Sequence, residues 1–247
     1  MVETLVRVLV LVGVIFLIIL PTGNKLYAAI IDPEKKYNEA FESFVDQINE
    51  MKSEQETFSV LLKEKSAIIG FSKNADRWEY YGRSPGGPYM DKPIQIVNKP
   101  NNNECSQNAC ICICSGEFEI LRIQKIEDLP TPVAVGNCKK EFLCKKLGDK
   151  DIVEKTIIHI FDKLLGMGGG EQYWRNGFLF TNVVGINGLS DYYGLNTAEQ
   201  EIILRTEKKQ NVIGFCNSDM LKYNKDKLNL AEGTCINKDW ASKNNKK

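Results

Sequence analysis

Histidine is almost absent from this 247-residue chain, since His159 is the only one. Any Ser-His, Cys-His or multi-histidine metal mechanism would therefore depend on this single position. Lysine plus arginine equals aspartate plus glutamate, at 32 each, so the chain has no excess charge that would attract a polyanion. These absences count against histidine-based catalysis and against nucleic acid as a partner.

Cysteine is missing from the first 100 residues, and all eight cysteines lie between Cys105 and Cys235. No Cys-x-x-Cys pair occurs, which removes the usual thiol-redox motif and the usual spacing of a zinc site. An even number of cysteines is typical of disulfides, which persist in oxidising compartments and rarely in the cytosol. We therefore predict that residues 30–247 lie outside the cytoplasmic membrane.

The N-terminal segment predicts contact with a membrane. An apolar run from Val8 to Leu20 follows Arg7, and its length suits a signal peptide or, with flanking residues, a short spanning helix. We predict that residues 1–29 are a signal anchor whose helix spans the membrane once, or a signal peptide cleaved at the small residues near Ala29. The domain is then held at the cell membrane, or secreted if cleavage occurs.

Residues 30–240 are predicted to form a single domain, followed by a disordered tail over 241–247. A chain of this length can bury roughly 70% of its unfolded surface in one core, so disulfides would reinforce packing and not replace it. Residues 32–52 predict an amphipathic helix, because Pro33 suits a first helical turn and apolar residues recur at intervals of three and four. Residues 149–166 predict a second helix, with His159 on its solvated face.

Strands are predicted between and after these helices, among them Ala67–Phe71 and residues 118–126. Helices and strands mix without regular alternation, which favours an α+β fold with a largely antiparallel sheet and two main helices. We expect disulfides to link this domain internally and the N-terminal hydrophobic helix to precede it. The likeness of Ala67–Phe71 to residues 211–215 could mark a duplicated hairpin, although coincidence is the simpler interpretation.

Three cysteines, Cys110, Cys112 and Cys114, alternate with isoleucines at the period of a strand, which places their thiols on one face. Neighbouring thiols on a strand are about 6.6 Å apart at Cα with parallel side chains, so they should not bond one another. A regular strand also presents them poorly to one zinc ion, so we expect no metal site, although a loop conformation would favour one. Each should bond to one of five other cysteines, and the remaining two should pair: Cys105, Cys138, Cys144, Cys216 and Cys235.

A turn-rich aromatic segment supplies the candidate ligand-binding residues, which are Trp78, Tyr80, Tyr81 and Tyr89. Amphipathic rings of this kind can contact a sugar or a protein. The alternative is that Trp78 and Tyr80 continue a strand into the core.

A short N-terminal span, an Ala-Ile-Ile-Gly-Phe strand and a Cys-x-Cys-x-Cys run followed by paired downstream cysteines occur in this order. In these features the chain resembles exported, membrane-anchored, cysteine-rich proteins of archaeal type. The resemblance covers residues 5–145. It implies the architecture described above and no activity or functional residues.

The sequence thus favours a membrane-anchored or secreted, disulfide-stabilised surface domain that acts as a binding or structural module. Its expected partners are the membrane and a protein or glycan at the cell surface, with no cofactor, no nucleic acid and no enzymatic role. Two alternatives stay open, an exported hydrolase that uses acidic residues and a cysteine-cluster metal or thiol-redox protein. Converging carboxylates would favour the first alternative, and thiols within one coordination sphere would favour the second.

Overall fold

The computed structural model describes residues 33–82, 93–124, 133–161, 170–181 and 200–217. The chain divides into two units, Met1–Glu39 and Ala40–Lys247. Within the described residues the protein is mostly β, with one helix and three sheets. The predicted α+β class with two main helices is therefore wrong. The N-terminal hydrophobic helix of that prediction falls before residue 33 and is not supported either.

The helix and strands take the following bounds in chain order: α1 (Pro33–Glu50), β1 (Gln55–Leu62), β2 (Ala67–Phe71), β3 (Arg77–Tyr81), β4 (Gln95–Asn98), β5 (Cys110–Cys114), β6 (Phe118–Gln124), β7 (Val133–Cys138), β8 (Phe142–Lys146), β9 (Asp151–Ile152), β10 (Lys155–Phe161), β11 (Gly170–Arg175), β12 (Gly177–Thr181), β13 (Gln200–Lys209) and β14 (Val212–Asn217). No helix in these ranges is both long enough and apolar enough to cross a bilayer.

Helix α1 forms where the sequence predicts it. Its buried side chains follow the spacing of one helical face, and the same face continues to Met51 just beyond the helix: Phe41, Phe44, Val45, Ile48 and Met51. Phe44 packs edge-on against Phe58 of β1, with ring centroids 6.2 Å apart. The helix therefore covers a sheet through an apolar stripe that is readable from the sequence.

The second predicted helix is absent, because its central residues form β10. Four of the seven residues of β10 are β-branched, which favours a strand over a helix. The register of β10 against β11 shifts between Ile157 and His159, and this irregularity interrupts the alternation by which a strand is recognised. His159 therefore lies in a strand opposite Gln172, and its predicted position on a helix face is wrong.

The three sheets have the orders β1-β13-β14-β9, β10-β11-β3-β4-β7-β6 and β12-β2-β5-β8. Pairing is antiparallel except between β4 and β7 and between β9 and β14. β1 and β2 belong to different sheets, whereas β13 and β14 pair with each other as a hairpin. The repeated apolar-Gly-Phe sequence therefore does not mark a duplicated hairpin.

Two glycines allow β2 and β12 to approach closely. A Cβ atom on Gly70 would lie 2.2 Å from the ring of Phe178, the residue opposite it in the ladder. Gly177 has a φ of 138°, and a Cβ atom there would lie 1.8 Å from the carbonyl oxygen of Gly70. The close packing of this pair of strands therefore requires glycine at both positions.

Replacing Gly177 with alanine should destabilise the domain by about 3 kcal/mol, because the backbone conformation and the clash both oppose a side chain. Gly148 is the matched control, since its φ is 59° but the nearest heavy atom to an added Cβ is 3.9 Å away. Gly148→Ala should cost only about 1 kcal/mol. Chemical denaturation of both variants measures the difference, and equal losses would contradict the role of the close approach.

Candidate functional site: a cysteine cluster and an aromatic–cation face

Strand β5 carries the predicted cysteine triplet and lies between β2 and β8 in the third sheet. All five of its residues are buried. Its cysteines lie on one face and its isoleucines on the other, as the period of two requires. A strand that is covered on both faces needs no polar residues, which explains the uninterrupted Cys-Ile-Cys-Ile-Cys sequence.

Three disulfides leave the triplet, and they join Cys105 to Cys110, Cys112 to Cys144, and Cys114 to Cys138. No bond forms within the triplet, in agreement with the strand geometry. The prediction of disulfides is confirmed, since all seven cysteines in the described ranges are bonded. The seventh is Cys216, and Cys235, the one cysteine left to pair with it, lies outside the described residues.

Strand register explains why Cys112 bonds to Cys144. The two residues lie directly opposite each other in the β5–β8 ladder, with Cα atoms 4.0 Å apart. Cys105 reaches the same face from a turn held by Asn102, whose side-chain oxygen accepts a hydrogen bond from the Cys105 amide at 3.0 Å. The ladder and the turn together bring sulfur atoms from three separate segments to one place.

The two disulfides Cys105–Cys110 and Cys112–Cys144 touch each other. The Sγ atom of Cys112 lies 3.6 Å from that of Cys105 and 3.9 Å from that of Cys110. The Sγ atoms of Cys105, Cys112 and Cys144 all lie within 4.8 Å of one another. In the described ranges this is the one group of three or more potential Cys, His, Asp or Glu ligands. We call the four residues Cys105, Cys110, Cys112 and Cys144 the four-sulfur cluster.

Polar contacts hold β8 beside this cluster. Lys145 Nζ lies 3.8 Å from Glu42 Oε2 and 3.6 Å from Asp46 Oδ1, both on α1. The amide of Lys146 donates a hydrogen bond to Glu104 Oε2 at 3.1 Å. These contacts tie the edge strand to the helix and to the segment that carries Cys105.

The predicted ligand-binding aromatics lie mostly in the interior. Trp78 is fully buried and Tyr80 is 3% exposed, so β3 continues into the core as the alternative interpretation has it. Trp78 packs beside Trp174 of β11, with ring centroids 6.4 Å apart. Tyr89 lies outside the described residues.

Tyr81 points to the opposite face of the six-stranded sheet from Trp78 and Tyr80. Its ring stacks on that of Tyr173 with centroids 4.7 Å apart and an interplanar angle of 8°. Lys155 Nζ lies 4.2 Å from the centroid of Tyr173, and the guanidinium carbon of Arg175 lies 5.6 Å from the centroid of Tyr81. We call Tyr81, Tyr173, Lys155 and Arg175 the Tyr–cation cluster.

The buried carboxylate of Glu79 accepts hydrogen bonds beside this cluster. Glu79 Oε2 accepts a hydrogen bond from the hydroxyl of Tyr81 at 2.8 Å, and Glu79 Oε1 accepts one from Arg77 Nε at 2.8 Å. Burial and, next, the hydrogen bond to Glu79 raise the pKa of Tyr81. A hydrogen bond with Tyr81 is the main cause that raises the pKa of Arg175.

Sequence reasoning missed three members of the Tyr–cation cluster, namely Tyr173, Lys155 and Arg175. The sequence pattern predicts a helix at Lys155, and Tyr173 meets Tyr81 only through the register of β3 against β11. A signal was present in the sequence, since Tyr173 and Arg175 alternate with buried Trp174 as a half-exposed strand requires.

No family model, no curated protein and no solved structure matches the chain.

The raised pKa of Tyr81 predicts a loss of stability at high pH. In the unfolded chain a tyrosine has a pKa of about 10. Because the folded-state pKa of Tyr81 is higher, its contribution to stability is fully present below pH 10 and is lost as the pH rises from about 10 through the folded-state pKa. Denaturation midpoints of the wild type should therefore fall above pH 10, and those of Tyr81→Phe should fall less steeply. Tyr173→Phe keeps the Tyr81 hydroxyl and should retain the wild-type slope. Equal slopes for wild type and Tyr81→Phe would contradict the assignment.

Proposed function

We propose that residues 30–247 form a disulfide-stabilised domain outside the cytoplasmic membrane, anchored in the membrane or secreted, that acts as a binding module. The observation that supports the compartment is the bonding of all seven described cysteines, six of them in three disulfides that each include one cysteine of β5. Structural disulfides of this density are typical of oxidising compartments.

The Tyr–cation cluster is the surface that best supports binding. Arg175 is exposed, Tyr173 and Lys155 are half-buried, and the buried Tyr81 stacks on Tyr173 and holds its ring in one orientation. Rigid tyrosines beside arginine are the residues that most often carry binding energy at protein surfaces. The two cations favour a partner that presents carboxylates, such as an acidic protein or an acidic glycan.

An acid-based hydrolase has less support. A general acid of this kind needs a carboxyl group whose pKa is raised. The pKa values of Glu56 and Glu117 are lowered, chiefly by hydrogen bonds from Ser53 and Lys139, so neither carboxyl group suits this role. Nor do three acidic ligand groups converge within the described ranges. The hydrolase therefore stays the weaker alternative.

The compartment can be tested with a reporter. A phosphatase that is active only after export, fused behind Lys247, should be active in cells, because the fusion point follows the proposed extracytoplasmic domain. The same fusion behind a chain that begins at Ile31 is the control and should be inactive. An inactive reporter in a verified, expressed full-length fusion would place the domain in the cytoplasm.

The binding surface can be tested by charge reversal. Arg175→Glu should weaken binding to an immobilised polyglutamate or polygalacturonate at least tenfold, because it replaces an exposed cation with an anion. Lys209→Glu makes the same change in charge on the first sheet, at another exposed position, and should leave binding near the wild-type value. Surface plasmon resonance at two salt concentrations measures both variants. Equal weakening by both variants, or no binding of either polymer by the wild type, would contradict the proposed surface.

A further inference from the structure

Two contacts within the four-sulfur cluster have the length of an edge of a tetrahedral metal site. In a zinc tetrathiolate, Zn–S bonds of about 2.3 Å place the sulfur atoms about 3.8 Å apart. The contacts from Cys112 Sγ to the sulfurs of Cys105 and Cys110 are 3.6 and 3.9 Å. Two of the four edges that join the two disulfides therefore already have the length that zinc requires.

The two bonded edges have to lengthen, and Cys144 has to approach Cys110, which is outside the group of sulfurs that lie within 4.8 Å of one another. Reduction would let each S–S pair open from about 2.05 Å to about 3.8 Å, or roughly 0.9 Å for each sulfur atom. Cys112 and Cys144 sit opposite each other on two paired strands, and Cys110 lies two residues from Cys112 on the same face. Three of the four ligands therefore come from one two-stranded ladder.

Thiol–disulfide exchange between the two bridges fits the geometry less well. Exchange requires the attacking sulfur to approach along the axis of the S–S bond. Cys112 Sγ is almost equally distant from the sulfurs of Cys105 and Cys110, so it lies beside that bond and not in line with it. The arrangement suits joint coordination of an ion better than transfer of a disulfide.

The surroundings also favour a soft metal ion. Cys105, Cys110 and Cys112 are fully buried, and Cys144 is 8% exposed. The cluster offers sulfur alone, since no described carboxylate or imidazole joins it. Thiolate sets without oxygen ligands select zinc over magnesium or calcium.

We propose that the reduced chain binds one Zn²⁺ through Cys105, Cys110, Cys112 and Cys144. A trialkylphosphine and one water molecule reduce each disulfide to two thiols, and the phosphine is oxidised to its oxide. Zn²⁺ then displaces the four thiol protons, and each thiolate donates an electron pair to the metal. In the oxidised chain the same four sulfurs are held in two disulfides, so oxidation and zinc binding exclude each other. The inference does not depend on what the domain binds.

Metal titration of the full-length chain tests this proposal. The chain is reduced with a trialkylphosphine in denaturant and refolded without oxygen in the presence of Co²⁺ or Zn²⁺. We expect one bound metal per chain and, with Co²⁺, the strong visible absorption and sulfur-to-cobalt charge-transfer bands of a tetrahedral tetrathiolate. Added Zn²⁺ should remove these bands. A reduced wild-type chain that binds no metal, or binds it without these bands, would overturn the proposal.

Paired variants locate the site. Cys112→Ser with Cys144→Ser should weaken zinc binding at least 100-fold, because two of the four ligands are lost. Cys114→Ser with Cys138→Ser is the matched control, since it removes the neighbouring bridge from the same strand and should keep one tight zinc. Circular dichroism follows whether metal restores the β-sheet signal of the reduced chains. The proposed site would be wrong if the two double variants bound metal equally, whether both tightly or neither. It would also be wrong if metal restored no β-sheet signal in the wild type.

Discussion

The third sheet depends on the bond between Cys112 and Cys144. β8 is an edge strand in which Phe142, Leu143 and Lys145 are only half-buried and Lys146 is exposed, so apolar packing alone gives it little hold on β5. The disulfide closes a loop of sequence separation 32, which on a chain-entropy account stabilises the fold by about 3.5 kcal/mol. The bond therefore holds an edge that the composition of β8 would otherwise leave weak.

The chemistry of the cysteines could be predicted because it follows from local geometry. A strand has a fixed period of two and a fixed rise, so the spacing of Cys110, Cys112 and Cys114 alone excludes bonds among them. Helix α1 was predictable for a similar reason, since its apolar stripe follows a single period from Phe41 to Ile48.

The fold class could not be predicted, because an irregular strand pairing hides the alternating pattern by which a strand is recognised in the sequence. An irregularity in β10 between Ile157 and His159 moves the apolar residues out of alternation and produces a spacing that resembles a helix. The β-branched residues of this segment favour a strand, whereas the spacing of its apolar residues favours a helix. The error then placed Lys155 on a helix and separated it from Tyr173.

Both candidate sites depend on strand register, which single-sequence patterns do not specify. A shift of one residue between β5 and β8 would move Cys144 to the opposite face and away from Cys112. The same shift between β3 and β11 would separate Tyr81 from Tyr173. The residue types of both sites can be read from the sequence, but only the pairing of the strands brings these residues together.

The second sheet shows why a domain of this size uses covalent links at all. Within the described residues, the buried polar atoms Trp78 Nε1, Gln95 Nε2 and Thr156 Oγ1 have no hydrogen-bond partner, and each such atom costs about 1–3 kcal/mol. Glu79 is also buried, and a buried carboxylate is tolerated only because Arg77 and Tyr81 both donate hydrogen bonds to it. These costs are of the same order as the contribution of a disulfide. The disulfides that start from β5 therefore offset part of the cost of the polar interior of the second sheet, which includes the buried carboxylate of Glu79 and its hydrogen bond from the buried Tyr81.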